Sequence, residues 1–273
     1  MSYYRILGLE REPFSTSPDP EFFFLSREHK AAFFRLQVAI ELRRGLSVVL
    51  GDVGTGKTTL SRKLARALAD KPEVEFHLIL NPWFKSEEQF LRYLARLFHA
   101  SVPAAADNFA LMEAVEHSLF ERGVEAGRTV VLLMDEAQIL PDFVLEVLRI
   151  LLNYETNNYK ILQLVLVGQL ELLPRIRAIP NFWDRIAMKF VIHPFGEEEV
   201  RAAVEYRLKM AGYRGAKPLF TDEAIRLIAR HTRGYPRKLA FFCHTTLERL
   251  VMYDKNVVDV AIVEAVMQEE EIG

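Results

Sequence analysis

The 273-residue sequence has a single cysteine, Cys243, so it can close no internal disulfide, and no residues around it have metal-ligand spacing. Cys243 stands in the apolar-flanked stretch Leu239-Ala240-Phe241-Phe242-Cys243-His244 and reads as a buried structural thiol, in keeping with a reducing compartment. Long apolar runs are missing as well. None approaches the roughly 18 residues that a membrane-spanning helix needs. The opening Met1 to Leu7 has only a short apolar patch, and Glu10 and Glu12 follow it, which is not the pattern of a secretory leader. The expectation is a soluble, cytoplasmic chain with no membrane span.

Charge of one sign is also scarce: 35 Lys and Arg against 37 Asp and Glu leave a formal net charge of -2. The chain as a whole therefore offers no broad attraction to a polyanion, which leaves only a local basic patch for nucleic acid. Internal repeats and low-complexity tracts are absent. Hydrophobic residues make up 50% and charged residues 26%, enough to bury a real core in one large domain or two modest ones.

The segment Pro13 to Pro20 is rich in turn formers, and its prolines exclude a helix. Phe22, Phe23 and Phe24 follow, then Ser26 as the cap of a helix reaching Arg44. Five short apolar runs read as strands buried in a parallel sheet: 46–50, 74–80, 129–134, 161–167 and 188–192. Helical patterns separate them at 58–69, 87–98, 109–125 and 143–152, with Ser86 to Gln89 at capping-box spacing. Alternating strands and helices predict an α/β domain over 1–195. From Gly196 onward every segment reads as helix (197–210, 222–231, 236–253 and 258–270), with Thr221-Asp222-Glu223 as a start signal, so a smaller all-helical domain is expected over 196–273.

Gly51-Asp52-Val53-Gly54-Thr55-Gly56-Lys57-Thr58 fits the phosphate-loop pattern G-x-x-x-x-G-K-[ST], and it follows a strand and opens a helix as that motif requires. Glycines let the backbone approach phosphates with its amides inward, and the following helix adds its positive end. Lys57 supplies a charge to the terminal phosphates of ATP, and the Thr58 hydroxyl is a magnesium ligand. The strand at 129–134 delivers Asp135 and Glu136 at its carboxyl end, where parallel sheets place their ligands. Asp135 would hold magnesium through water and Glu136 would orient and polarise the attacking water. Together these residues predict an ATP hydrolase with ATP and Mg2+ as its cofactors.

With both motifs in place, the chain resembles the AAA+ ATPases, in which a helical lid follows the α/β nucleotide domain, and more narrowly the GspA/ExeA-type secretion ATPases. The resemblance runs from Tyr4 to about residue 270. It rests on Pro13-Phe14-Ser15 through Pro18-Asp19-Pro20, Gly51 to Thr59, Met134-Asp135-Glu136-Ala137-Gln138, Val167-Gly168-Gln169-Leu170-Glu171-Leu172 and Gly234-Tyr235-Pro236-Arg237. It implies that Gln169 senses the terminal phosphate, that Thr59 belongs to the nucleotide loop, and that Arg237 reaches the nucleotide from the lid. It also implies that Arg185 is an arginine finger acting on ATP held by a neighbouring subunit, with Arg175 and Arg177 as rivals. Asn81 either holds Glu136 off-line or caps the turn before Pro82.

A finger supplied in trans makes a homo-oligomer, ring or filament, the working form, and the family adds a secretion-system partner at the membrane. Its members continue into a membrane span and a periplasmic region, so this chain is either their cytoplasmic part or a free-standing relative. TniB/TnsC-type transposition ATPases share similar motifs, which keeps DNA as a second partner. Basic residues at Arg62, Lys63 and Arg66, and at Arg226, Arg230, Arg233, Arg237 and Lys238, are where it would bind. A slow nucleotide-gated adaptor is the third reading.

Overall fold

A computed structural model describes residues 2–15, 21–215 and 217–272. Pro18, Asp19 and Pro20, part of the turn-rich segment, lie outside the described residues. The chain forms two compact units. One is Lys30–Asp52 with Leu60–Ile192, and the other is Met1–His29, Val53–Thr59 and His193–Gly273. The expected division at 195/196 falls close to the last crossing, while the first 29 residues and the loop 53–59 go with the C-terminal helices.

The first unit is built on five parallel strands, β1 (Leu46–Gly51), β2 (Val74–Ile79), β3 (Thr129–Met134), β4 (Leu162–Gly168) and β5 (Ile186–Ile192). Their order across the sheet is β2-β3-β4-β1-β5, and every pairing is parallel. The three central strands are buried at every position, which is why they read as apolar runs broken only by Ser47, Thr129 and Gln163. The edge strands β2 and β5 are only half-buried and carry Glu75, His77 and Lys189.

Eleven described α-helices complete the chain: α1 (Tyr3–Ile6), α2 (Arg27–Glu41), α3 (Lys57–Ala69), α4 (Glu87–Leu97), α5 (Asn108–Phe120), α6 (Asp142–Leu151), α7 (Leu172–Ala178), α8 (Glu197–Met210), α9 (Asp222–Thr232), α10 (Pro236–Met252) and α11 (Val260–Ile272). Caps fix several starts as the residue types predict. The Ser86 Oγ accepts from the Gln89 N–H at 3.2 Å, and the Thr221 hydroxyl from the Ala224 N–H at 3.1 Å.

Three departures from the expected elements have local causes. The helix expected to reach Arg44 ends at Glu41, because Arg43 turns left-handed at φ 48°. The helix expected to run to Glu125 leaves α geometry at Phe120 and widens into a π turn over Glu121–Glu125. That turn carries Arg122 to Glu75 of the sheet edge, with both carboxylate oxygens accepting at 2.7 Å. It also presents the Gly123 carbonyl to the Arg43 guanidinium at 3.1 Å. The short helix α7 has no counterpart in the sequence reading; Pro174 sits in its first turn, where a missing N–H costs nothing.

The second unit gathers the last four helices around Leu9, Phe14 and Phe22 from the chain's start. Phe14 meets Phe220 edge-on at 6.2 Å, and the Arg207 guanidinium donates to the Ser15 carbonyl at 2.9 Å. Gly234, before α10, has φ +70°, and a Cβ there would lie 2.0 Å from the Phe195 carbonyl oxygen. Only glycine lets these two segments close, through the Phe195 N–H and Gly234 carbonyl at 2.9 Å. Cys243 is fully buried on α10, and burial pushes its thiol far above the ordinary range, as expected of a structural cysteine. Among the described residues no helix is long and apolar enough to cross a membrane.

Candidate functional site

Strand β1 ends at Gly51, and the chain then turns through Asp52, Val53, Gly54, Thr55 and Gly56 before Lys57 opens α3. Gly54 and Gly56 adopt φ +81° and +93°, values open to glycine and strained for other residues. Thr55 and Lys57 are buried, while Thr58 and Thr59 are half-buried in the first turn of α3. Left-handed residues set between others in a short turn bring successive N–H groups to one side, and the N–H groups of a helix start follow directly. The result is a cradle for an anion.

Within its unit this loop is held from two directions. The Gly54 carbonyl accepts the backbone N–H of Arg237 at 3.2 Å. The Thr55 carbonyl accepts from the His29 Nε2 at 2.8 Å. A carbonyl can only accept, so Nε2 carries the imidazole proton and Nδ1 accepts the Ser26 hydroxyl at 2.7 Å. Burial holds the His29 pKa below its ordinary value, against the opposing pull of the Thr55 carbonyl, so the ring is neutral at pH 7. Phe23 meets His29 edge-on at 4.9 Å. The Arg237 side chain, for which the sequence implies a reach to the nucleotide, is exposed; its backbone makes the loop contact.

In the sheet unit, parallel strands bring Gly51, Asp135 and Gln169 to the same edge, at the carboxyl ends of β1, β3 and β4. Asp135 is buried, and its Oδ1 accepts the Glu136 N–H at 3.0 Å. Glu136 is left-handed at φ 53° and ψ 36°, a conformation that costs a non-glycine residue roughly 1–3 kcal/mol. Strain of this kind collects where a side chain has to be aimed.

Gln138, to which the sequence reading gives no role of its own, is the link at this edge. Its Nε2 donates to the Glu136 Oε2 at 2.6 Å, and its Oε1 accepts the Gln169 N–H at 3.0 Å. One amide thus bridges the carboxylate after β3 and the backbone after β4. Arg175 secures the same turn: it donates to the Gln138 carbonyl at 2.7 Å, to the Leu140 carbonyl, and to the Asp142 carboxylate at 2.5 Å.

These bonds separate the three arginines. Arg175 spends its guanidinium inside its own unit. Arg177 is exposed with its charge 4.3 Å above the Trp183 ring, and Arg185 makes a bond to the Arg149 carbonyl at 2.8 Å. Asn81 is exposed, and its carbonyl accepts the Trp83 N–H at 2.9 Å in a turn around Pro82. Of the basic residues, Arg226 pairs with Glu223 at 2.8 Å, and Arg230, Arg233 and Lys238 are exposed.

Similarity to known proteins gives the family and the fold. Residues 40–176 match the family model described as AAA domain. Over 247 residues the chain is 34% identical to General secretion pathway protein A of Aeromonas hydrophila, a match taking in 90% of this chain and 44% of that protein. The chain thus spans less than half the length of that relative. Among solved structures, Cdc6p of Pyrobaculum aerophilum is similar with a TM-score of 0.68 at 20% identity, covering 94% of this chain and 70% of that one. The ORC2 protein of Aeropyrum pernix gives 0.65 at 16% identity, covering 95% and 72%. The RuvB Holliday junction branch migration motor of Thermotoga maritima gives 0.58 at 17% identity, covering 90% and 70%. At such identities the likeness speaks for the fold alone.

Proposed function

The chain belongs to the AAA-domain family, whose members are ATPase-type enzymes, and from that premise we propose that it binds ATP with magnesium and hydrolyses it to drive assembly and conformational change of a homo-oligomer. The observation that carries the reading is the glycine-turned loop opening α3 at Lys57, in one chain with the Asp135–Glu136 pair at the carboxyl end of β3. Residues 1–195 serve as the nucleotide-binding part and 196–273 as the lid.

The residues fit the cofactor. Among the described residues no cluster of three His, Cys, Asp or Glu could hold a metal alone. Magnesium characteristically takes one or two protein oxygens beside substrate phosphates and waters. Thr58 would offer its hydroxyl to the ion and Asp135 would hold it through water, and the ion would neutralise charge that develops on the phosphates. Gly51 to Thr59 present backbone amides to the phosphates, Lys57 adds its charge, and Gln169 senses the terminal phosphate. Glu136 takes the proton of the attacking water. Gln138 holds one Glu136 oxygen, which leaves the other to face that water. Gln138→Ala keeps the carboxylate itself and is therefore expected to lower turnover about tenfold, less than the smallest contribution of about a hundredfold typical of a general base, with KM unchanged. A changed KM with unchanged turnover would remove Gln138 from this role.

The client proposed is secretion or envelope assembly through a partner at the membrane, with the chain on its cytoplasmic face. The 34% identity to General secretion pathway protein A supports it. Exposed Arg230, Arg233 and Lys238 favour a second reading, in which the ATPase assembles on DNA. Magnesium-dependent turnover per subunit, followed against protein concentration with and without duplex DNA, decides between them. A rate that climbs with concentration and ignores DNA is the expected result. A rate that rises only with DNA would transfer the client to nucleic acid, and a rate indifferent to both would sink the assembly-coupled reading.

A further inference from the structure

Two buried side chains, Ser26 and His29, stand in a chain of hydrogen bonds that ends on the phosphate loop and has no part in the chemistry above. The hydroxyl of Ser26 donates to Nδ1, which fixes the tautomer, and Nε2 then donates to the Thr55 carbonyl. We infer that His29 is the positioning residue that aims the loop's amides at phosphate. The inference rests on the phosphate-loop reading of residues 51–59.

The geometry of one peptide plane gives the reason. In a trans peptide the carbonyl and the following N–H point in opposite directions. With the Thr55 carbonyl drawn to His29, the Gly56 N–H points away from His29. The Gly54 carbonyl is anchored likewise, by the Arg237 N–H at 3.2 Å. Without such anchors this stretch is free to rotate its peptides, because Gly54 and Gly56 flank Thr55 and glycine has the widest choice of φ and ψ. A loop that must point its amides before the anion arrives binds more tightly than one that has to be ordered by it. Packing here is tight: a side chain at position 56 would meet the Phe23 ring at 2.9 Å and the His29 Nε2 at 3.0 Å. In the neutral ring only one nitrogen donates, so the bond from Ser26 is what keeps the donor on Nε2.

Two near-isosteres separate an aiming role from space filling. Glutamine carries its amide nitrogen about where the imidazole Nε2 lies, and asparagine carries its own near Nδ1. Binding of a fluorescent ADP analogue with magnesium is measured on the full chain, with thermal melting as the check on folding. His29→Gln is expected to bind within about threefold of the parent. His29→Asn should bind about tenfold more weakly, the ratio set by losing one buried hydrogen bond. Ser26→Ala keeps the ring but frees its tautomer, and a loss of about threefold is expected. Equal affinities for the Gln and Asn variants would overturn the inference and leave His29 as packing. If either of them fails to fold, Ser26→Ala decides, and parental affinity there would overturn it too. Lys57→Ala runs beside them: if it binds as the parent does, the phosphate-loop reading itself has failed, a result separate from the role of His29.

Discussion

Glu136→Gln is expected to bind ATP as tightly as the parent and to turn it over about a hundred to ten thousand times more slowly, the span of a general base's contribution. The exchange keeps the side chain's shape and removes its negative charge and its basicity. The Gln138 amide that now donates to the Glu136 Oε2 can donate equally to the oxygen of a glutamine at 136. The turn from β3 into residues 137–139 therefore keeps its bonds, and the backbone strain at 136 is unchanged. What is lost is proton transfer from the attacking water, a term that exists only in the transition state. KM for ATP should accordingly stay where it is while kcat falls. Single-turnover hydrolysis together with nucleotide binding checks this. Parental turnover in the variant would reject Glu136 as the carboxylate that acts on water.

Arg185→Ala should lose about three orders of magnitude in assembled protein, the lower bound for an arginine finger. Its guanidinium bonds to the Arg149 carbonyl, so a small loss of stability, about 1 kcal/mol, accompanies the substitution and has to be read separately by melting. The test that isolates the role is a mixture. Arg185→Ala subunits keep Glu136, and Glu136→Gln subunits keep Arg185. If the finger acts across an interface, mixing two inactive preparations creates interfaces with both groups intact. In a randomly mixed head-to-tail assembly about a quarter of the interfaces qualify. Recovery of that order is expected. Two variants that are each inactive, with no recovery on mixing, would place Arg185 within its own subunit's site or in its fold. Arg177, exposed above Trp183, is then the residue to substitute next. Arg175 is a poor choice for such a test, because losing it would unfasten Gln138, Leu140 and Asp142 together.

The parts of this molecule that are legible in its sequence are those in which partner residues are neighbours. The phosphate loop is a nine-residue statement, complete from Gly51 to Thr59. Asp135 and Glu136 follow a strand that has to be apolar throughout because both faces are covered. The helices from 197 onward announce themselves by period and cap. What the sequence conceals is held by pairs far apart along the chain. Gln138 and Gln169 are 31 positions apart, and nothing about either side chain says that one will accept from the other's backbone. His29 and Thr55 are separated by 26 positions, and a histidine near the start of an amphipathic helix looks like any other. Strand order is hidden for the same reason, since a parallel pairing leaves no turn signal to read. The proline-rich start misleads more actively. Without periodicity it reads only as turn-rich and non-helical, yet Phe14 and Phe22 belong to the core formed by helices nearly two hundred residues later.

That last arrangement sets a clock during synthesis. Phe14 and Phe22 leave the ribosome well before their companions from Phe195 to Val266. At the usual pace of about 5–20 residues per second, these aromatics wait for roughly ten to fifty seconds before their own core exists. The sheet unit can fold late in that interval, once β5 has been made, because all five strands lie within Lys30 to Ile192. The nascent chain then carries a finished sheet beside unsheltered aromatics, and a chaperone that covers such residues has its best opportunity there.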